Sequence, residues 1–215
     1  MNAEGEGIWF ATPPGFTSLP LDALLAPQAS AKAEESREVL AAVLAAAPDD
    51  VVRQQVLADL ANALRLFHTL RAEGTVYLSL GLHRDDISER HGDALLSLFT
   101  ITWVDTAWAP RGVTAARSVA QAEGHTNIEY AELPCGPATF SESVLTPTDE
   151  SGLAQKPLLQ IHGHLPHPDG RSLAVLTLST IAAVHREHYR VILRQIAELV
   201  SFNDPFASIP EASER

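Results

Sequence analysis

The alternation of apolar and polar residues near the end of the chain predicts a strand, a turn, a second strand and a helix. From Leu158 to Leu165 the residue types alternate, which is typical of a strand with one buried face. Asp169-Gly170 follows as a turn signal, because Gly accepts positive φ at no steric cost. The run from Ser172 to Ser179 alternates little and is rich in Leu and Val. It therefore predicts a more central strand, antiparallel to the one before it.

A helix is predicted from about Ala182 to Leu199, with Ser179 or Thr180 able to cap its start. One side of the helical wheel is apolar and the other is charged, which is typical of a helix that lies on a sheet. The apolar side holds Val184, Ile192, Ile196 and Leu199, and the charged side holds Arg186, Arg190, Arg194 and Glu198. Val200–Phe202 then predicts a short strand that ends at Asn203-Asp204-Pro205.

The earlier part of the chain predicts a helical hairpin followed by strands. Apolar residues recur at helical spacing on both sides of Pro48, so residues 31–72 form either a hairpin or one long helix broken at that proline. Gly74 ends this region and opens a strand. Further elements are a possible edge strand at 7–11, strands at 75–82, 95–104, 126–133 and 138–146, and a helix at 113–123. The fold class predicted is α+β, a mostly antiparallel sheet flanked by helices, with an N-terminal helical hairpin.

Composition predicts a single domain. The chain has 215 residues, 46% of them apolar, which is ample for one core. We expect one α+β domain over residues 1–206, with the hairpin 31–72 as an insert and 207–215 as a flexible tail.

Charge and cysteine content narrow the possible partners and location. The formal net charge is −12, which disfavours binding to nucleic acids and to anionic membranes and is compatible with a basic protein partner. The single cysteine, Cys135, excludes an intrachain disulfide. Neither a signal peptide nor an apolar run of membrane-spanning length is present, so we expect a cytoplasmic protein with no membrane contact.

The order of elements and two local sequences resemble actinobacterial PsbP-like proteins. The run Leu173–Thr180, a helix containing Tyr189, and Val200–Pro205 resemble the end of these proteins, among which are the LpqN-type lipoproteins. Trp9–Phe16 resembles their start. The helical insert and the missing lipoprotein signal are departures from that group. The resemblance implies a PsbP-like α/β/α sandwich and a non-catalytic accessory or binding domain.

The histidines are the main candidates for metal chemistry. His162 and His164 share the polar face of one predicted strand and His167 follows in the turn, whereas His185 and His188 fall on the apolar side of the last helix. A zinc site needs three or four ligands that converge at about 2.0–2.3 Å. No HExxH motif or CxxC pair supports such a site. The favoured interpretation is that the strand pair is solvated and that the helix pair closes the edge of the core through hydrogen bonds, and no metal or cofactor is predicted.

Other chemistry finds little support. The chain has no GxSxG elbow and no glycine-rich phosphate loop. The cluster Asp85, Asp86, Glu89 and His91 is interpreted as a solvated loop. Cys135 lies in Pro-Cys-Gly-Pro, where the local sequence offers no basic residue that would activate its thiol, so it is interpreted as an incidental small residue. No catalytic residue is predicted.

Trp103 and Trp108 are weak candidates for partner binding, because exposed tryptophans anchor many interfaces. Residues of this kind are more often part of a core or its edge, and that interpretation is favoured.

The function predicted is protein binding without catalysis. One version is an accessory protein or chaperone of a secretion system, and another is an immunity protein that covers a toxin's active site. Two alternatives stay open: a metal-dependent hydrolase that uses the histidines, and a small-ligand carrier with a pocket between the sheet and the 31–72 hairpin.

Overall fold

A computed structural model describes residues 7–26, 30, 34, 41, 54, 66–84, 94–146 and 157–205. Most of the predicted hairpin (31–72) and the whole predicted tail (207–215) lie outside these residues. The strands are β1 (Phe16–Ser18), β2 (Thr75–Arg84), β3 (Ala94–Asp105), β4 (Thr126–Leu133), β5 (Gly136–Leu145), β6 (Leu158–Pro166) and β7 (Ser172–Thr180). The helices are α1 (Leu21–Leu24), α2 (Arg111–Ala120) and α3 (Arg186–Glu198), with a 3₁₀ turn at Ala183–His185 and a helical segment at 66–72.

The seven strands form one sheet in the order β1-β2-β3-β7-β6-β5-β4. Every neighbouring pair is antiparallel. The predicted α+β class with a mostly antiparallel sheet is therefore confirmed. The prediction of a central strand at 172–179 is also confirmed, since β7 is the fourth of the seven strands.

One face of the sheet carries the main core beneath α3. The fully buried side chains of this core include Phe99 from β3, Leu176 and Leu178 from β7, and Tyr189 and Leu193 from α3. Side chains on one face of a strand repeat with a period of two, so the alternating residues of β3 and β7 reach this core together.

The predicted apolar side of the last helix was wrong at its two ends. Val184 is 85% exposed and Leu199 is 60% exposed. The α-helix begins only at Arg186, after a 3₁₀ turn that contains Val184, and Leu199 is already its C-cap residue. Val184 and Leu199 therefore lie outside the regular helix, and the helical wheel does not apply to them. The buried stripe consists of Tyr189, Ile192, Leu193, Ile196 and Ala197.

The opposite face of the sheet has two coverings. Helix α2 packs against β5 and β6, and Thr139 donates a hydrogen bond to the Ala115 carbonyl at 2.9 Å. At the β2–β3 side, a small second core contains Leu21, Phe67 and Leu78. Between these two coverings the sheet presents polar residues, described in the next subsection.

The two outermost described segments meet at one isolated bridge. Trp9 and Ser201 exchange two backbone hydrogen bonds, both of 2.8 Å. The strands predicted at 7–11 and 200–202 are reduced to this single antiparallel bridge. Among the described residues, no helix combines the length and apolar composition required to cross a bilayer.

Arg111 joins two turns at the far end of the sheet. Its Nε donates to the Pro166 carbonyl at 2.9 Å, and its Nη2 donates to the Cys135 carbonyl. Gly136 has φ of +121°, and a Cβ there would overlap the Arg111 guanidinium. Glycine at 136 is thus required both by the backbone conformation and by the arginine.

Candidate functional site

Polar side chains form rows across the sheet face that α3 does not cover. Ser141, His162, Thr177 and Thr100 stand opposite one another on β5, β6, β7 and β3. Flanking rows pair His164 with Thr139, and Gln160 with both Ser143 and Ser179. We call the central part of this region the polar face, which consists of Ser141, Ser143, Gln160, His162, His164, Thr177 and Ser179.

Hydrogen bonds link the imidazoles of the polar face to hydroxyl groups. His162 uses both ring nitrogens: Nδ1 lies 3.0 Å from the Thr177 hydroxyl, and Nε2 lies 3.2 Å from the Ser143 hydroxyl. His164 Nε2 lies 3.4 Å from the Ser141 hydroxyl. His164 Nδ1 is buried and has no hydrogen-bond partner within the described residues.

A third histidine, His125, completes the cluster. It precedes β4, and its ring stacks on that of His162, with centroids 4.8 Å apart and an interplanar angle of 22°. Its Nδ1 lies 2.8 Å from the Ser141 hydroxyl. The sequence reasoning missed His125 because only the pairing of β4, β5 and β6 brings it near His162, and no local pattern signals that contact.

The interpretation of His162 and His164 as a solvated pair was wrong, because His164 is only 5% exposed and both ring nitrogens of His162 lie against hydroxyl groups of neighbouring strands. Burial keeps these imidazoles neutral. Loss of hydration lowers the pKa of His162 to about 3, with further lowering by His164 and His125. The same desolvation, together with the neighbouring His125, lowers the pKa of His164 to about 4. The pKa of His125 is also lowered by burial. Near neutral pH the cluster is therefore an uncharged hydrogen-bonding network.

The arrangement does not favour a metal centre. The described residues contain no group of three or more His, Cys, Asp or Glu side chains arranged to hold a metal ion. The structure brings His162 and His164 together but separates His167 from them. The His167 ring lies 5.6 Å from that of Trp103 and 5.0 Å from that of Phe202, and its Nδ1 lies 3.1 Å from Asp169.

Ser141 lies between two imidazoles, as a serine nucleophile would beside its base. A nucleophile must reach its substrate, however, and Ser141 is only 1% exposed. Its hydrogen bonds therefore serve to satisfy a buried hydroxyl between His125 and His164.

Two other predicted histidines and the cysteine have simpler environments. His185 is 8% exposed, as expected for a residue that closes the core edge, whereas His188 is exposed, contrary to that expectation. Burial raises the pKa of the Cys135 thiol, although Arg111 opposes this effect. A raised thiol pKa leaves little thiolate near neutral pH, which agrees with the interpretation of Cys135 as unreactive.

A buried carboxylate lies on the other face of β5. Glu142 is 2% exposed, pairs with Arg190 and accepts a hydrogen bond from Asn127 at 3.0 Å. Arg186 approaches it at 3.6 Å. Burial alone would raise the pKa of Glu142, but the hydrogen bonds from Arg190 and Asn127 outweigh it and lower that pKa. Glu142 thus ties the start of α3 to β5.

Large aliphatic side chains are exposed where four neighbouring strands end. Val144 of β5 pairs with Leu159 of β6, which pairs with Thr180 of β7, which pairs with Ser97 of β3. The adjoining residues Leu96, Val144, Leu145, Ile181 and Val184 are 49–85% exposed. We call these five residues the apolar rim.

The two tryptophans have different environments. Trp103 is partly buried and packs against the main core, as the favoured interpretation predicts. Trp108 is 69% exposed, and its indole Nε1 would lie 3.0 Å from a Cβ placed at Gly170. Trp108 is thus a surface residue that covers the Asp169-Gly170 turn.

An open cleft of about 470 Å³ lies between residues 11–14 and the C-terminal turn of α3. Its walls carry prolines and aliphatic groups, with Thr12, Gln195 and Glu198 as polar members. This lining lacks the convergent polar groups that orient a specific small ligand.

No family model, curated protein or solved structure matches this chain. The resemblance to PsbP-like proteins therefore stays a prediction, and function has to be argued from the geometry above.

Proposed function

We propose that this chain is a non-enzymatic domain that binds another protein and that the apolar rim forms part of the contact surface. The observation that supports the proposal is the exposure of its five large aliphatic side chains, at 49–85%, at one end of the sheet. Exposed apolar groups gain roughly 25 cal/mol for every Å² removed from water. Large exposed patches of this kind are typical of protein interfaces.

The charge of the chain bears on the kind of partner. A net charge of −12 attracts a basic protein and repels nucleic acid. Within this class we propose a cytoplasmic accessory protein or chaperone of a secretion system, or an immunity protein for a secreted toxin. A PsbP-like α/β/α arrangement is part of the proposal, and the helices on both faces of the antiparallel sheet support it.

The experiment that tests the proposal compares rim variants in a pull-down from native host extract with quantitative mass spectrometry. Ile181→Glu and Val184→Glu place charges in the rim. Val113→Glu is the matched control, since Val113 is 40% exposed on α2, away from the rim. We expect one stoichiometric partner whose recovery falls about tenfold with either rim variant and is unchanged with the control.

Two results would contradict this function. A partner captured equally by the wild-type chain and both rim variants would place the interface elsewhere. If no protein is recovered and the same sample contains a bound small molecule or metal, a ligand carrier or a metal-dependent enzyme would be favoured over a protein-binding domain. Melting temperatures of all variants have to match that of the wild type before the recoveries are compared.

A second candidate function is the binding of a small polar ligand at the polar face, which requires a local opening of that face because His164 is only 5% exposed. The observation that favours it is the buried and unpartnered Nδ1 of His164, because buried polar atoms normally have hydrogen-bond partners. Native mass spectrometry of the purified chain would show such a ligand. Metal analysis of the wild type and His162→Ala tests the hydrolase alternative, which requires stoichiometric metal that the variant loses.

A further inference from the structure

We propose that the outer edge of β4 takes up an extended, lysine- or arginine-bearing segment of a partner protein as an additional strand. This surface is separate from the apolar rim, so the two proposals can fail independently.

The position of β4 in the sheet leaves one of its sides unpaired. Among the described strands, β4 is the last in the sheet order and pairs only with β5. The strand at the other edge, β1, has three residues, whereas β4 has eight. An edge strand of this length presents a row of N–H and C=O groups that can pair with another chain.

The sequence of β4 lacks two of the residue types that protect edge strands from pairing, proline and lysine, and its charged residues are both glutamates. Thr-Asn-Ile-Glu-Tyr-Ala-Glu-Leu contains no proline, lysine or arginine. An irregularity lies between Thr126 and Glu129, where Asn127 has φ of 50°. From Glu129 to Leu133 the strand pairs with β5 in regular register, so this half has the geometry that strand addition needs.

The exposed side chains of β4 alternate apolar and acidic groups. Ile128 is 55% exposed and Tyr130 is 52% exposed. Glu132 is exposed and accepts a hydrogen bond from the Tyr130 hydroxyl, and Glu129 is exposed and pairs with Arg194 at 2.6 Å. Cross-strand pairs are favourable between aromatic or β-branched residues and between opposite charges.

Charge favours a basic segment over a second copy of this chain as the occupant. Self-pairing at β4 would bring together two chains that each carry a net charge of −12 and would add the acidic groups of two β4 edges. A segment with apolar residues opposite Ile128 and Tyr130 and a cation opposite Glu132 meets no such repulsion.

The test uses synthetic peptides of about ten residues, a usual strand length. The probe is a lysine–valine peptide that places valines opposite Ile128 and Tyr130 and a lysine opposite Glu132, three positions on one face of the added strand. The matched peptide has the same charge, but prolines replace its two central valines, which removes its capacity to form a strand. Affinity is measured by fluorescence anisotropy, and the binding position by amide hydrogen exchange of the full chain.

We expect the lysine–valine peptide to bind about tenfold more tightly than the proline peptide and to slow exchange within Thr126–Leu133. Glu132→Lys should weaken binding about fivefold, whereas the control Glu198→Lys, the same charge change on α3, should not. If Glu132→Lys lowers the melting temperature, Tyr130→Lys serves as the second edge variant, and it should weaken binding of the lysine–valine peptide by a similar factor.

Three results would overturn the proposal. Equal affinities for both peptides would show charge attraction without strand formation. Slowed exchange outside β4 would place the peptide elsewhere. A concentration-dependent dimer in sedimentation, abolished by Tyr130→Asp, would make a second copy the occupant.

Discussion

The imidazole rings of His125, His162 and His164 lie side by side, with centroids 4.8–6.1 Å apart. At the scale of residues, this is the most unusual feature of the molecule. Burial and mutual repulsion disfavour the protonated forms of His162 and His164 in the folded state. Folding is therefore coupled to their loss of protons.

We predict that the free energy of unfolding falls as the pH drops from about 6.5 to about 4. The unfolded histidines titrate near pH 6.5, whereas the folded pKa of His162 is about 3 and that of His164 is about 4. The unfolded state binds more protons between these values, so the stabilisation is complete above pH 6.5 and is lost towards acid. Since one pKa unit corresponds to about 1.4 kcal/mol and both histidines stay neutral in the fold over about two pH units below 6.5, we expect a loss of roughly 5 kcal/mol by about pH 4.5.

Urea denaturation at about pH 7.5 and about pH 4.5 measures this loss. His162→Gln should reduce the difference between the two pH values, because the amide can still hydrogen-bond to Thr177 but does not titrate. His188→Gln is the control, since His188 is exposed. An equal pH difference in the wild type and His162→Gln would show that other groups cause the acid lability.

A second prediction at this scale concerns Gly136. Replacement by Ala strains a backbone with φ of +121° and also displaces the Arg111 guanidinium. We expect a loss of roughly 2–3 kcal/mol. Gly124→Ala is the matched control, since Gly124 has φ of +77° with no atom within 4 Å of its Cβ position, so it should lose only about 1 kcal/mol. Equal losses in thermal or urea unfolding would mean that Arg111 accommodates the methyl group and that a φ of +121° adds no strain beyond that at Gly124.

At the scale of elements, the sequence predicted the strands better than the ends of the helices. The predicted strands at 126–133 and 172–179 agree with β4 and β7 because alternation and turn signals are local. The helix predicted from 182 begins at Arg186, because a 3₁₀ turn comes first and does not alter the apolar pattern.

The candidate site was predicted only in part, for the same physical reason. His162 and His164 share a face through the two-residue period of one strand, which the sequence reveals. His125 and the buried Glu142 gain their partners through strand order and helix docking. Those contacts depend on the tertiary fold, and the residues around His125 and Glu142 carry no pattern that specifies them.

The buried stripe of α3 leads to a prediction at the scale of elements. Leu193 is fully buried, whereas Val191, two residues earlier, is 53% exposed. Leu193→Ala should therefore destabilise the domain by about 2–5 kcal/mol, through lost burial and the cavity left behind. Val191→Ala should change stability by about 0.5 kcal/mol or less. Chemical denaturation of both variants measures these losses of stability and so tests which side of α3 is buried. Similar losses for the two variants would contradict the burial of Leu193 and the exposure of Val191.

At the scale of the whole molecule, the sheet separates an apolar face from a polar one. The main core lies on the side of the sheet under α3. On the opposite side, the residues of the polar face lie between α2 and the small second core. The apolar rim at the strand ends and the edge of β4 remain open among the described residues. The edge of β4 and three of the five rim residues belong to strands of the sheet, and Ile181 and Val184 follow directly after β7, so the sheet positions both proposed contact surfaces before binding and limits its ordering cost.

The bridge between Trp9 and Ser201 has a mechanical consequence. Because the two residues pair antiparallel, the chain before Trp9 and the chain after Ser201 leave the bridge on the same side. A force that pulls these two segments apart acts first on the buried side chain of Ile8 and on the two hydrogen bonds of the bridge, and it does not shear the sheet. Fusion partners attached beyond both positions would start close together, and tension between them would open this bridge before it reached the seven strands.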